Sequence, residues 1–254
     1  MNKKIGIIAF VASIFLIVGM STTSTAEQNL VDVHVKGGDI FYTGRVLPEG
    51  YKLLCEKMAT AVSKPKRLVI NSGGGPIEDG LDIGHWVYDN GLDILVVEKC
   101  MSSCANYIFP AAKNKEISNG AVVAWHGSLS DTTEGGDLEE SLKNVDRQFP
   151  DLPVAQREKM KEEARINFAQ YIQVQAVRQK EFFKKIRVDE NVTLLGPSHG
   201  AKDFYFISVE DMKRFGITNV KAPADYAKTD LTHIKKKKPI VFIELKEQDH
   251  SHGR

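Results

Sequence analysis

The sequence has few cysteines, no excess of either charge and only one long apolar run. Three cysteines are too few for a disulfide framework. The 34 lysines and arginines almost balance 33 acids, so no electrostatic basis exists for a nucleic-acid partner. Nine prolines and 20 glycines in 254 residues exclude a collagen-like chain. The length fits one large domain or two small ones.

The apolar run lies at the N-terminus and predicts export. Lys3 and Lys4 precede an apolar segment over 5–20, and small polar residues then lead to Ala26. This order is typical of a secretory signal peptide, so we predict that residues 1–26 are a signal removed after Ala26. The protein would then be periplasmic or secreted. An uncleaved membrane anchor is the alternative, although the run is short for a membrane span.

Alternating strand and helix patterns follow the signal. The segments 67–71 and 92–97 are short and apolar, as in parallel strands covered on both faces. Between them, residues 77–90 place apolar side chains at helical spacing. We therefore predict an α/β fold with a mostly parallel sheet. Two helices, over 137–149 and 154–186, would form an insertion after the strand 121–125.

The C-terminal part predicts a shorter series of elements. We expect a loop over 191–198, a strand over 203–207, a helix from Ser208 to Phe215 and a last strand over 217–220. Residues 27–225 would form the main domain. The tail 226–254 carries the lysine run 235–238, interpreted as a solvated linker. The apolar segment 240–245 could form an edge strand in the same chain or on a neighbouring subunit.

Two turns in the main domain suggest chemistry. The first is a glycine turn, Asn71-Ser72-Gly73-Gly74-Gly75-Pro76, directly after a strand. Because glycine has no side chain, we expect the backbone N–H groups of this turn to be unobstructed, as oxyanion stabilisation requires, although such a run often makes only a tight turn. The second is Cys100-Met101-Ser102-Ser103-Cys104, where a predicted helix start directs N–H groups and a positive dipole end at the same space.

A histidine at the end of a neighbouring strand completes the set. A serine hydroxyl needs a base to accept its proton, and His126 follows the strand 121–125. In an α/β sheet, turns at the carboxyl ends of strands meet at one edge, so Ser102 and His126 could form an acyl-transfer site. Taken singly, Ser102 and Ser103 could be helix caps, and His126 could be structural.

The cysteines allow one disulfide. Cys100 and Cys104 are the local candidates in an oxidising compartment, which leaves Cys55 free. Four-residue spacing on a regular helix gives poor disulfide geometry, so Cys100 would have to precede the helix. Three buried, reduced cysteines are the alternative. No zinc motif is present, because no histidine pair accompanies the cysteines. We predict no metal and no cofactor.

These landmarks together resemble the Clp protease proteolytic subunit family of the crotonase-like superfamily. The segment 40–46 is similar to the family's first strand, and 70–75 is similar to its Ile-Asn-Ser-Pro-Gly-Gly turn. Residues 206–217 are similar to its closing strand, helix and strand. The closest resemblance is to exported bacterial members with a Cys-x-Ser-x-Cys motif. It implies a spiral of β-β-α units.

The resemblance also implies a function and residue roles. It implies a serine hydrolase, foremost a peptidase, that acts on a peptide or protein substrate and assembles as a homo-oligomer. Ser102 would be the nucleophile and His126 the base. Asp203, with an offset of about one residue, would be the third member, and a solvated or capping role is its alternative. Backbone N–H groups of Gly74, Gly75 and Ser103 would bind the oxyanion.

Several alternatives stay open at this point. Gly73 replaces the family's proline, and a slip in register would put Ser103 or Cys104 at the nucleophile position. The segment between His126 and Asp203 is divergent. The chain could be a catalytically inactive binding or assembly protein of the bacterial envelope, or an acyl-coenzyme A enzyme. A serine–lysine dyad with Lys99 or Lys113 is a further alternative.

Overall fold

The structure is a computed structural model that describes residues 31–129, 136–234 and 239–246. The predicted signal, residues 1–26, and the lysine run 235–238 lie outside these residues. The chain divides into two compact units. The smaller includes residues 132–173, and the larger comprises 28–131 and 174–254. None of the described helices has the length and apolarity to cross a membrane.

A seven-stranded sheet forms the centre of the larger unit. Its strands are β1 (Asp32–Lys36), β2 (Asp39–Thr43), β3 (Arg67–Ser72), β4 (Asp93–Met101), β5 (Lys115–Ile117), β6 (Val122–Ala124) and β8 (Val220–Lys221). The order is β1-β2-β3-β4-β5-β8, with β6 also beside β4. β1 pairs with β2 in the antiparallel sense, and the other pairs in this sheet are parallel. The predicted α/β class with a mostly parallel sheet is confirmed.

A second, two-stranded sheet joins the C-terminal tail to the main domain. β7 (Phe204–Ile207) pairs in parallel with β9 (Ile240–Ile243) along all four residues. β9 corresponds to the apolar segment of the tail. The structure therefore pairs this segment within its own chain.

The helices lie between the strands along the chain, and two of them form the insertion after β6. They are α1 (Pro48–Thr60), α2 (Ile77–Asp89), a π-helical turn (Cys104–Ile108) followed by α3 (Phe109–Ala111), α4 (Gly136–Gln148), α5 (Val154–Ile186), a 3-10 turn (Glu190–Thr193), α6 (Leu195–Ser198), α7 (Val209–Arg214) and a 3-10 turn (Tyr226–Lys228). α4 and α5 are the predicted helical insertion, and α5 is continuous over 33 residues.

Local sequence signals explain several of these boundaries. Pro48 occupies the first turn of α1, where its missing N–H removes no helical hydrogen bond. The Ser208 hydroxyl accepts the Asp211 N–H at 3.0 Å and so caps α7. Ile40, Leu68 and Ile70 are completely buried in neighbouring strands. Burial on this scale is the main stabilising contribution to the sheet that supports the turns.

Two predicted segments were wrong. Residues 191–198 are not a loop but a 3-10 turn and α6, because the Asp189 carboxylate caps the Asn191 N–H at 2.9 Å and Val192 is buried. The last strand of the main sheet is Val220–Lys221, not 217–220. Ile217 donates its N–H to Met212 at 3.0 Å and closes the turn after α7 instead.

The smaller unit contains α4 and the first part of α5. Asp146 on α4 pairs with Arg157 at 3.2 Å and with Lys161 at 2.7 Å. Both bases lie on α5, so charged contacts join the two helices within this unit.

Candidate active site

Three chain segments end at the same edge of the main sheet. Ser72 at the end of β3 is in register with Cys100 of β4, after a bulge beyond Ile70. Met101 at the end of β4 is in register with Ala124 at the end of β6. Because these strands are parallel, the glycine turn, the serine turn and His126 emerge side by side.

The serine turn places a hydroxyl beside an imidazole. Ser102 Oγ lies 2.6 Å from His126 Nε2, within hydrogen-bond distance. Ser102 is half-buried and His126 is exposed, so the pair is open to solvent. Lys99 pairs instead with Glu98, with Nζ 3.4 Å from Oε1. The group within reach of the Ser102 hydroxyl is therefore a histidine ring.

Ser102 has an unusual backbone conformation. Its φ angle is 56°, in the left-handed region that side-chain-bearing residues seldom adopt. Its N–H donates to Ala124 O at 3.0 Å, and its carbonyl accepts the Asn106 N–H at 2.9 Å. In this strand-to-helix turn the hydroxyl lies against His126.

His126 is positioned by backbone pairing on one side and by an amide on the other. The preceding residue, Trp125, exchanges two backbone hydrogen bonds with Tyr205 of β7, both of 2.8 Å. The following residue, Gly127, accepts a hydrogen bond from Asn106 Nδ2 at 2.9 Å. Asn106 thus binds the backbone of both Ser102 and Gly127. It is a positioning residue that sequence reasoning missed.

The position of Asp203 follows from the same pairing. Trp125 is opposite Tyr205 in the antiparallel sense, and Asp203 lies two residues before Tyr205. The Phe204 ring contacts the His126 ring, with centroids 4.6 Å apart. Asp203 is half-buried, one residue before β7. Sequence reasoning missed the contact between Phe204 and His126. The aromatic residues after Asp203 were the available signal, because they indicate a strand that packs against other residues.

The glycine turn packs directly against the serine turn. Gly74 has a φ angle of 88°, and a Cβ there would lie 2.5 Å from Met101 O and 2.6 Å from Ser102 Cβ. A Cβ on Gly75 would overlap the carbonyl oxygen of Val46. Glycine is therefore required at both positions by close approach, and at Gly74 by φ as well.

The three predicted oxyanion donors are close together but differ in their hydrogen bonds. The Gly74 N–H donates to Ser72 Oγ at 3.1 Å, and the Gly75 N–H donates to Ser103 Oγ at 2.8 Å. The Ser103 N–H makes no hydrogen bond to any residue within the described ranges. The Ser103 amide therefore differs from the two glycine amides, which already donate to serine hydroxyls.

A disulfide spans the serine turn. Cys100 near the end of β4 is bonded to Cys104 at the start of the π-helical turn, with a Cα–Cα distance of 5.2 Å. Both cysteines are completely buried. Cys100 precedes the helix, as the geometry of the bond requires. Cys55 on α1 is a free thiol.

The helix after the glycine turn supports the serine turn from the other side. A Cβ on Gly80 of α2 would lie 2.8 Å from both Ser103 Cβ and the Tyr107 ring. The Tyr107 hydroxyl donates to Gln179 of α5 at 2.6 Å. Close packing therefore fixes the segment that carries Ser102 and Ser103 against α2.

Comparison with known proteins gives matches among solved structures. No family model and no curated protein matches the chain. Solved structures with some likeness include a ClpP1 mutant from Listeria monocytogenes, 18% identical, with a TM-score of 0.36, 73% of this chain covered and 91% of that one. An enoyl-CoA hydratase structure from Streptomyces coelicolor is 12% identical, with a TM-score of 0.36 and coverage of 82% and 73%. Another from Mycobacterium avium is 15% identical, with a TM-score of 0.31 and coverage of 67% and 93%.

Proposed function

We propose that this chain is an exported serine hydrolase that cleaves peptide bonds, with Ser102 as nucleophile and His126 as general base. The observation that carries the proposal is the distance of 2.6 Å between Ser102 Oγ and His126 Nε2. This distance suits direct proton transfer from the hydroxyl to the ring. The left-handed conformation of Ser102 supports it too, because backbone strain of this kind clusters at functional sites.

The reaction would begin when His126 accepts the Ser102 proton and Oγ attacks the substrate carbonyl carbon. The Ser103 N–H would donate to the developing oxyanion. A second donor becomes available if the Gly75 N–H exchanges the Ser103 hydroxyl for the oxyanion. His126 would then pass its proton to the leaving amine, and water would release the acyl group by the same steps.

Asp203 is the proposed orienting acid of this site. Its position in the chain, next to the Phe204 ring that contacts His126, supports this role. The reaction needs no metal and no other cofactor. The disulfide supports export to the periplasm or beyond, because such bonds persist in oxidising compartments. We also expect a homo-oligomer, to be measured by analytical ultracentrifugation.

A fluorophosphonate probe tests the nucleophile. We expect the purified protein to be labelled at Ser102, and Ser102→Ala to lower the labelling rate by roughly a thousandfold or more. His126→Ala should lower it by about a hundredfold or more, because the base is lost. Ser63→Ala is the control, since Ser63 is exposed and lies outside both turns. Labelling that persists in Ser102→Ala, or that maps to Ser103, would refute the assignment.

One observation favours a second candidate, a non-enzymatic binding or assembly protein of the envelope. Two of the three predicted oxyanion donors already bind the hydroxyls of Ser72 and Ser103. If this arrangement is permanent, the site lacks the second donor that acyl transfer generally uses. A folded protein that the probe does not label would support this candidate.

A further inference from the structure

The backbone of Ser102 needs an external constraint to keep its conformation. Its φ angle of 56° is unfavourable for a residue with a side chain. The hydrogen bonds to Ala124 O, at 3.0 Å, and from the Asn106 N–H, at 2.9 Å, favour this conformation. Both bonds join the serine turn to residues just outside it, at the end of β6 and in the π-helical turn.

The Cys100–Cys104 disulfide closes a covalent ring that contains Ser102. Cys100 is anchored in the sheet, in register with Ser72 on one side and Val123 on the other. Cys104 begins the π-helical turn, and its Cα lies 5.2 Å from that of Cys100. If the strand continued through Ser102, these Cα atoms would be roughly 13 Å apart. That is beyond the roughly 7 Å that a disulfide can bridge.

We propose that Cys100 and Cys104 are positioning residues for the nucleophile. Their disulfide excludes the extended path through Met101, Ser102 and Ser103, and thereby holds Ser102 Oγ within reach of His126 Nε2. The proposal rests on the proposed function, because it assigns the disulfide a role in presenting the nucleophile. Neither sulfur atom takes part in the reaction.

The size of the ring indicates a local role. The two cysteines are four residues apart, so the bond closes a very short loop. In the chain-entropy account, the stabilisation from a disulfide grows with the length of the loop that it closes. A short loop therefore contributes less to global stability than a long one would, and the bond directly restricts the conformation of the residues inside the loop.

The test compares a disulfide-free variant with a matched control. The double variant Cys100→Ala/Cys104→Ala removes the bond, and Cys55→Ala removes the free thiol on α1. We expect the double variant to lose about tenfold or more in fluorophosphonate labelling rate, since misplacing a reacting group by about 1 Å can cost a hundredfold. Cys55→Ala should label at the wild-type rate.

Two further measurements keep the outcomes distinct. If the double variant does not fold, wild-type protein is treated with a phosphine reductant until mass spectrometry counts three free thiols. The phosphine takes oxygen from water while the disulfide becomes two thiols. Equal labelling rates with and without the disulfide would overturn the proposal.

If wild type is not labelled at all, the proposed function fails, and hydrogen exchange decides the role of the disulfide. The Asn106 N–H, which donates to Ser102 O, should exchange about tenfold faster or more without the disulfide, as expected for local opening. Unchanged exchange would show that the turn keeps its conformation without the bond, and would overturn the proposal.

Discussion

The glycine turn and the serine turn follow neighbouring parallel strands at the same end of the sheet. Each contains a residue with a left-handed backbone, but the two turns stabilise that conformation in different ways. Gly74 has a φ angle of 88° and Ser102 one of 56°, both in the left-handed region. Gly74 has no side chain to oppose this conformation. Ser102 keeps its side chain and needs two backbone hydrogen bonds and a neighbouring disulfide.

Packing explains the residue type at position 74, whereas chemistry explains the residue type at position 102. At Gly74, any side chain would collide with the serine turn, so close approach explains the glycine. At Ser102, a left-handed conformation costs about 1–2 kcal/mol for a residue with a Cβ. A hydroxyl 2.6 Å from His126 is a reason to keep a serine there in spite of that cost.

The largest expected effect is on the packing of the glycine turn. Gly75→Ala would place a Cβ on the carbonyl oxygen of Val46, where backbone must move. We expect a loss of about 3 kcal/mol in the free energy of unfolding, as for other overpacked sites. Chemical denaturation measures this loss.

Gly73→Ala is the matched control, because a Cβ there meets no atom within 4 Å. It should change the free energy of unfolding by less than about 0.5 kcal/mol. Equal losses in Gly73→Ala and Gly75→Ala would show that close approach does not determine the glycine turn.

An intermediate effect is expected in the first turn of α2, directly after the glycine turn. Burial, together with the charges of Glu78, Asp82 and Glu49, raises the pKa of Asp79 to about 7. The unfolded chain loses this proton near its ordinary pKa of about 4, so the folded state binds more protons between these values. Stability from this group therefore falls as pH rises from about 4 to 7, and the full penalty is present above that range.

Asp79→Asn removes this titration. Thermal unfolding should show the variant gaining on wild type as pH rises, by about 2 kcal/mol at mildly alkaline pH after allowance for solvent screening. Asp151→Asn is the control, since Asp151 is exposed. A stability difference between Asp79→Asn and wild type that does not change with pH would contradict the raised pKa.

The smallest effect is on the strain at Ser102. Ser102→Gly and Ser102→Ala both remove the hydroxyl, but only the glycine adopts a φ angle of 56° without cost. We expect the glycine variant to be more stable than the alanine variant by about 1 kcal/mol, measured by thermal unfolding. Equal stabilities would mean that the turn relaxes when the hydroxyl is removed. The Ser102–His126 contact would then be what maintains the left-handed conformation.

Much of the fold followed from local patterns. The apolar strands around the glycine turn and the helical spacing over residues 77–90 appear in the structure as β3, β4 and α2. The predictions failed where tertiary contacts decide local structure. β4 extends to Met101 because β6 pairs with its end, and residues 191–198 are helical because Asp189 and buried Val192 favour a turn.

The residues of the site were predictable by type, because a hydroxyl, an imidazole and glycine N–H groups are the chemical parts that acyl transfer needs. Their arrangement was not. Sequence patterns did not foretell the conformation of Ser102, the Phe204 ring against His126, or the amide of Asn106 that binds Gly127. The same holds for the hydroxyls that occupy the Gly74 and Gly75 amides.

Sequence by itself determined which strands and helices form around the site, since periodicity and turn residues act over a few neighbours along the chain. Tertiary structure decided which groups meet, because the parallel register of β3, β4 and β6 joins segments that are far apart in sequence. Only that register puts a serine hydroxyl 2.6 Å from a histidine ring 24 residues away.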